Sequence, residues 1–566
     1  MITDARSVPA GTVIETEVCI VGGGAAGITL AREFINANFR VVLLESGNAR
    51  PEQATQDLYS GSNVGRPYEN FPETRLRYFG GTTNHWGRVW CDMPTPLDFE
   101  EREGVPHSGW PFPLSYLDPW YRRAQPVLKF GPSGYELSDW GITPSNTPEP
   151  FQGPHFVCRV LQQAPATRFG REYAPELRRA KNLSVYLNAN ALRFDASENG
   201  RTVRQLNVGV LPGGRFAVRS QIFILASGGI ENARLLLLSE SESGVGLGND
   251  RGLVGRFFML HLEYLGGSID LLDPHADLTF QTGEQGARYK RSGTPRSFVS
   301  YIGLSEETKR RHKLPNLRVR FQYPRPPEID ALNRLVTRDG GRKKLLNDLG
   351  SVTRAMPGVA AYCARRMVHG RNKPPRPMAS IALKCTSEQM PNPDSRIGLG
   401  EDLDAFGLRR VAVDWRLTAE DRRGMTTAHR LLASELARAG FGRLRSTVPE
   451  DDAEWPAEMC GDQHHMGTTR MHRDPDMGVV DENCRVHDVA NLYVAGSSLF
   501  PTGGTFNPTL TIVALALRLA DHVKERLQTK TTIDTRAAHA VHGVDGAVEP
   551  AFNSRVGGGG RARETA

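Results

Sequence analysis

The stretch Thr16 to Gly47, TEVCIVGGGAAGITLAREFINANFRVVLLESG, constrains the fold more than any other part of the chain. Val18 to Val21 is an apolar run of strand length, glycines follow it, and Ile28, Leu30, Ala31 and Phe34 supply the buried stripe of a helix. A second strand, Arg40 to Leu44, ends in Glu45. The order predicts a β-α-β unit with Gly22, Gly24 and Gly27 in G-x-G-x-x-G spacing. The first glycine makes the tight turn. The second lets a pyrophosphate lie against bare backbone at the N-terminus of the helix that Ala25 and Ala26 open, and the third lets helix and strand pack closely. Glu45 stands where a carboxylate accepts the hydroxyls of a ribose. Glycine-rich turns are common, but strand, turn, helix, strand and acid agree here, and together they predict dinucleotide binding.

Two more strand-to-helix junctions come much later. One is RFAVRSQIFILASGGIENARLLLLS, with Ser227, Gly228 and Gly229 at the turn, preceded by a Pro-Gly-Gly hairpin. The other is ANLYVAGSSLFPTGGTFNPTLTIVALALRLADHV near the end. A binding domain assembled from distant segments favours FAD over NAD, whose fold usually occupies one contiguous block. At 566 residues the chain exceeds one hydrophobic core. We therefore expect an α/β protein with a discontinuous Rossmann-like FAD-binding domain (12–60, 75–92, 180–258 and 478–526). A substrate domain with a large, mostly antiparallel sheet and helices takes 93–179 and 259–477. Within it we place a basic helical insertion at about 305–376, and we expect a disordered tail at 529–566.

Charge and cysteine usage exclude several classes. The net charge of +7 comes largely from Lys and Arg between Lys309 and Arg376, without interleaved aromatics, so nucleic acid is not an expected partner. That segment reads as a solvated face, or as a surface that steers an anionic partner. The seven cysteines form no C-x-x-C pair and predict neither zinc site nor disulfide framework. His464 and His465 are adjacent and point apart on a strand, so no metal site is expected there. No stretch is apolar and long enough to span a bilayer, and no signal peptide is visible, which predicts a cytoplasmic protein.

Six blocks in order resemble the glucose-methanol-choline (GMC) family of flavin oxidoreductases. They are GGGAAG with Glu45, YFGGTTNHW around His85, EQMPNPDSRIGL from Glu388, HHMGTTRM from His464, GVVDENCRVHDVANLYVAGSSLFPT, and NPTLT from Asn507. The blocks extend to about Val523, nearly the whole chain. The TTNHW string is similar to the pyranose-oxidase side of the family and its bacterial relatives, which oxidise sugars, glycosides and aminoglycosides. The resemblance implies that His464, three residues before a Gly-Thr pair, takes the proton of a substrate hydroxyl, and that Asn507 holds the hydroxyl oxygen. Oxidising an alcohol removes a proton and a hydride, so a base and a hydrogen-bond partner must sit together at the flavin N5. It further implies flavin contacts at Gly80, Gly81, Thr82, Asn84, Ala191, Ser227, Gly228, Gly496, Ser497, Pro508 and Thr509. Gln389, Asp462 and Gln463 lie beside the motifs as candidate substrate contacts. Asp462 and Glu388 are the acids that would have to meet a polycationic aminoglycoside.

His85 follows the glycine pair of YFGG, and in related enzymes this position is bonded covalently to the flavin methyl carbon. The alternatives here are such a bond to FAD, or a histidine packed on the dimethylbenzene edge. The expected partner is a small-molecule alcohol, with oxygen, a quinone or a redox protein as electron acceptor. Two other readings stand beside alcohol oxidation: a lyase of the same fold that uses flavin structurally, and a flavin-binding protein without turnover.

Overall fold

The strand Val13–Val21 is buried at Val18, Cys19, Ile20 and Val21 because parallel neighbours flank it on both sides. The structure, a computed structural model, describes residues 1–542 apart from 69–71, 132–133, 141–152, 241–243, 277, 279–288, 292–293, 324–326, 338–341, 370–377, 451–453 and 457. Around Val13–Val21 an eight-stranded sheet runs in the order Ile2–Asp4, Leu183–Leu187, Val41–Leu44, Val13–Val21, Gly214–Leu225, Val203–Val210, Asn190–Ala196. Leu492–Val494 adds to Gly214–Leu225 in parallel, although more than 260 residues separate them. The last three strands of the order form the antiparallel hairpin and its extension, as the Pro-Gly-Gly turn predicts.

A second, nine-stranded sheet orders Gly442–Ser446, His261–Leu271, Ser380–Glu388, Leu317–Gln322, Thr294–Leu304, Phe156–Pro165 and Arg88–Cys91, with Tyr289–Arg291 and Cys460–Gly461 attached at the side. Every pairing in it is antiparallel. One of its faces is apolar and carries Tyr264 and Cys385, whose polar atoms approach His429 of the helix Ala419–Arg438. That helix starts with a capping box at Thr418 and Asp421. A small third sheet joins Arg396–Leu403, Arg409–Asp414 and Gly61–Asn63.

Several expected boundaries move. Ile2–Asp4 belongs to the first sheet, so that domain begins before residue 12. Arg88–Cys91 pairs with Phe156–Pro165 in the second sheet, so the cofactor segment placed at 75–92 ends earlier. The basic insertion is not continuously helical: Leu317–Gln322 is an inner strand, and the long helical part is Pro327–Thr337, Arg342–Arg354 and Met356–His369. The last helix, Thr509–His542, continues through the first third of the expected tail, because the polar run after Gln528 contains no residue that breaks a helix. Residues 543–566 lie outside the described residues. Met1–Ala520 form one compact unit and Asp521–Ala566 a second. Among the described residues no helix is long and apolar enough to cross a membrane.

Candidate active site

The glycine turn, the Ser227 junction and the final junction converge on one elongated cavity. Its wall includes Gly22, Gly24, Ala25, Ala26, Glu45, Gly81, Thr82, His85, Ala191, Ser227, Gly228, Gln463, His464, Gly496, Ser497, Pro508 and Thr509. Three distant segments meet there because the parallel strands Val13–Val21, Gly214–Leu225 and Leu492–Val494 lie side by side and all end at the same edge.

The glycines fit a dinucleotide in different ways. Gly22 has φ +112°, and a Cβ on it would lie 2.5 Å from the Ala226 carbonyl oxygen. A Cβ on Gly27 would come within 1.9 Å of the Gly22 oxygen, so Gly27 packs helix on strand and does not line the cavity. Gly24 differs from both. It caps the helix Ala25–Glu33 without a side-chain hydrogen bond, and no protein atom lies within 4 Å of where its Cβ would be. The space above it, like that above Gly228 and Gly496, opens onto the cavity. Helix N–H groups over open space suit a pyrophosphate. At the far end Ala191 precedes a register shift in its strand.

Glu45 accepts from the backbone N–H of Gly23 at 2.9 Å and of Gly47 at 2.7 Å. Its burial raises the carboxyl above the ordinary range, and these N–H groups pull it part of the way back. Gly80 and Asn84 lie behind the wall. The Gly80 N–H donates to Gly23 O at 2.8 Å, which ties the YFGG strip to the glycine turn, and the Asn84 amide donates to Phe79 O at 3.1 Å, which closes the loop on that strip. His85 ends the short 3-10 turn Gly81–His85, and partial burial lowers its imidazole below the usual value.

Beside the glycine turn His464 forms a cluster with two other titratable groups. The backbone near Cys460–Gly461 pairs with the start of His261–Leu271, and Met466 bridges to Met259, which sets His464 beside His261. His464 Nδ1 contacts Asp462 Oδ2, and His261 Nδ1 lies 3.0 Å from His464 Nδ1 and 3.2 Å from Asp462 Oδ2. Asp462 Oδ1 also accepts from the backbone N–H of His464 at 2.9 Å and of His261 at 3.2 Å. Burial alone would raise the Asp462 carboxyl, but the two imidazoles outweigh it and hold the group well below the carboxylate range. His261 is wholly buried, which opposes its protonation, yet Asp462 raises it above the usual imidazole value. Its Nε2 faces the Gly503 carbonyl at 3.2 Å. Nε2 of His464 has no hydrogen-bond partner among the described residues, and the residue lines the cavity.

Asn507 is set by its neighbours and is not part of the cavity wall. Its N–H donates to Asp92 Oδ1 at 2.9 Å, its Nδ2 donates to Trp90 O at 2.9 Å, and Arg318 stands 3.4 Å from its Oδ1. His465 is a packed histidine. Its Nε2 faces the Tyr68 hydroxyl at 2.9 Å, its ring stacks on Phe258, and burial with Arg75 nearby takes it down to about 3.

Three residues expected as substrate contacts are engaged by protein partners. Gln389 has no polar atom to spare: it accepts from Leu260 N and Trp415 Nε1 and donates to Phe258 O and Arg416 O. Asp462 serves its two histidines and is absent from the wall. Glu388 is fully buried, with Arg102 bonded to both its oxygens at 2.6 and 2.9 Å. Burial would raise its carboxyl, and the guanidinium outweighs that and takes it to about 2.

Sequence reasoning missed His261, and it missed the ion cluster on the cavity wall formed by Arg75, Arg77 and Glu231. Arg75 lies 2.9 Å and Arg77 3.5 Å from Glu231, and both guanidinium groups lie over the Tyr59 ring. The available signal was the alternation of Arg75 and Arg77 directly before the YFGG strip, which puts two cations on one face.

Residues 391–516 match the model of the GMC oxidoreductase family. The chain is 26% identical to the 6'''-hydroxyparomomycin C oxidase of Streptomyces lividus, over 92% of this chain and 93% of that protein. It is 24% identical to the fructose dehydrogenase large subunit of Gluconobacter japonicus, over 91% and 99%. In fold it is similar to pyridoxine 4-oxidase from Mesorbium loti, with a TM-score of 0.53, 19% identity and coverage of 89% of this chain and 98% of that one. The formate oxidase of Aspergillus oryzae RIB40 is also similar in fold, with a TM-score of 0.54, 16% identity and coverage of 92% and 100%. The glycine cradle, the six ordered blocks and these matches agree: residues 391–516 carry the GMC oxidoreductase match, and the chain is an FAD-dependent enzyme acting on CH–OH donors.

Proposed function

We propose that the enzyme oxidises one CH–OH group of a polyhydroxylated ring compound, a sugar, glycoside or aminoglycoside, to a carbonyl. The observation that carries this reading is His464, fixed through Nδ1 by Asp462 and presenting Nε2 on the wall of the cavity that the glycine turn also lines. Relatives named for 6'''-hydroxyparomomycin C, fructose, paromamine and C-glycosides support the ring-compound class.

FAD, when bound, supplies the hydride acceptor. Gly22, Gly24, Ala25, Ala26 and Glu45 would hold its adenosine and pyrophosphate, with Ala191, Ser227, Gly228, Gly496 and Ser497 along the same wall, and Gly81, Thr82, His85, Pro508 and Thr509 further along it. His464 Nε2 takes the hydroxyl proton of the substrate. Asp462 accepts the hydrogen of Nδ1, so the ring keeps its lone pair on Nε2 and the imidazolium formed on protonation is stabilised. Asn507 stands behind the cavity wall and uses one N–H of its amide on Trp90 O; its role would be to orient the substrate oxygen with the second. Gln463 borders the same space.

The test is anaerobic addition of sugars, cyclitols and aminoglycosides to the purified holoenzyme. Loss of the flavin's visible absorption with at least one ring alcohol is the expected result. Turnover of an alcohol with the flavin left oxidised throughout would favour the lyase, and silence across the panel would contradict the reading. Acid precipitation separates the two roles of His85: flavin kept in the pellet marks a covalent bond, and flavin released marks packing.

A further inference from the structure

The strand His261–Leu271 opens with a histidine whose side chain is wholly closed to solvent, and the hydrogens around it are constrained on both sides of the ring. Its Nε2 lies 3.2 Å from the Gly503 carbonyl oxygen, which can only accept, so Nε2 carries a hydrogen. Its Nδ1 lies 3.2 Å from Asp462 Oδ2 and 3.0 Å from His464 Nδ1, and His464 Nδ1 also contacts Asp462 Oδ2. Three polar atoms therefore meet at one point, and one of them belongs to an anion. Neutral His261 brings a bare lone pair against the carboxylate oxygen and can only accept there, from the Nδ1–H of His464. Protonated His261 donates its own Nδ1–H to Asp462, and His464 is left to share that oxygen.

Charge decides what these two states do to the base. With His261 neutral, the negative charge of Asp462 is cancelled only when His464 Nε2 takes a hydroxyl proton. With His261 protonated that charge is already cancelled, and the same proton transfer leaves two imidazolium rings, their centres 5.0 Å apart, on one carboxylate. Like charges so close disfavour one another, the more so where burial excludes water. The other groups packed around His261 supply no second anion. Arg318, on the strand Leu317–Gln322, is a cation that opposes a charge on His261, and Asp92 lies 3.6 Å from Arg318. Glu388 is paired opposite His261 on the strand Ser380–Glu388, but Arg102 is bonded to both its oxygens. Among the described residues Asp462 is the one carboxylate in contact with either ring. Burial opposes a charge on His261 and Asp462 favours it, and Asp462 prevails.

We propose that His261 is a positioning residue for the alcohol oxidation, acting through Asp462: when His261 is neutral the carboxylate is free to stabilise the proton that His464 takes, and when His261 is protonated it is not. This role rests on the reading of His464 as the base and deepens it, because the base then works as a unit of two rings on one acid. The hydroxyl proton moves to Nε2 of His464, and His261 neither gives nor takes a hydrogen in that step. Acid therefore slows the enzyme at two rings: a proton on His464 removes the acceptor, and a proton on His261 removes the charge that acceptor needs. A ring that served only as packing would alter the plateau rate and leave the pH dependence where it was.

The experiment is stopped-flow anaerobic flavin reduction of the holoenzyme across about pH 5 to 9, with the sugar, cyclitol or aminoglycoside that reduces the wild-type flavin. His261→Asn puts an uncharged amide near the place of Nδ1, and His261→Gln puts one near the place of Nε2. In either variant, checked for retained flavin, the midpoint of the acid limb is expected to fall by at least about half a pH unit, with the plateau rate kept within about tenfold. In an Asp462→Asn background the same substitution is expected to leave the midpoint in place, since the carboxylate that couples the rings is gone. An acid limb unmoved in both single variants, or moved as far in the Asp462→Asn background, overturns the proposal and leaves His464 standing as the base. A wild-type rate and limb in flavin-loaded His464→Ala overturns both.

Discussion

Asp462 and His464 are two residues apart, and the backbone between them turns so that one carboxylate serves two imidazoles. An ionised acceptor at Nδ1 fixes which ring nitrogen carries hydrogen, and so which one faces the substrate. Asp462→Asn keeps the shape and removes the charge, so His464 loses both its preferred tautomer and the partner of its protonated form. The expected outcome is flavin reduction slowed about 10²-fold or more, within the range a positioned general base contributes, with the visible spectrum of the bound flavin unchanged. Stopped-flow spectroscopy reads both. A wild-type rate in Asp462→Asn would show that His464 is oriented by something else.

At the scale of elements, Gly24 and Gly27 share one turn and one helix and are predicted to fail differently. A Cβ on Gly24 meets no protein atom within 4 Å and projects over the cavity, whereas one on Gly27 collides with Gly22 O. Gly24→Val is expected to yield folded apoprotein that no longer retains flavin. Gly27→Ala is expected to lose about 1–3 kcal/mol of stability through overpacking, with flavin loss following from it. Thermal melts of the apoproteins beside flavin content separate the two. The contrast also shows why this part of the molecule was legible in the sequence. The demands on Gly22, Gly24 and Gly27 are local, set by φ and by contact within one turn, and local demands leave a spacing. His261 left none, because its partner lies 203 residues away and its own surroundings, FFMLHLEYL, read as an ordinary strand. The Arg75–Glu231 pair spans 156 residues, so the alternation of Arg75 and Arg77 gave no hint of the acid they meet. The strand Leu317–Gln322 was hidden by its arginines, which counted toward a solvated helical face until pairing on both sides made it an inner strand.

For the whole molecule, two buried histidines set the response to acid. Burial takes His429 down to about 4 and His465 to about 3, from 6.5. Between these values and 6.5 the unfolded chain binds more protons than the folded one, so the stability they contribute is present above about pH 6.5 and is lost as pH falls. Asp421, raised to about 6 by burial, acts in the opposite sense between 3.8 and 6, as do Glu45 and His261, which are also raised, while Glu388 and Glu231, held at about 2 by their guanidinium partners, act in the same sense as the two histidines. Melting temperature is therefore expected to fall between pH 6.5 and 4, and His465→Gln is expected to flatten that slope. The account as a whole claims that segments from both ends of the chain converge so that one imidazole meets the substrate hydroxyl beside the cofactor. The most direct measurement of that claim is the anaerobic rate of flavin reduction in His464→Ala, with a ring alcohol that reduces the wild-type flavin. The account predicts a fall of about 10²–10⁴ with flavin still bound. An unchanged rate in flavin-loaded His464→Ala would contradict it.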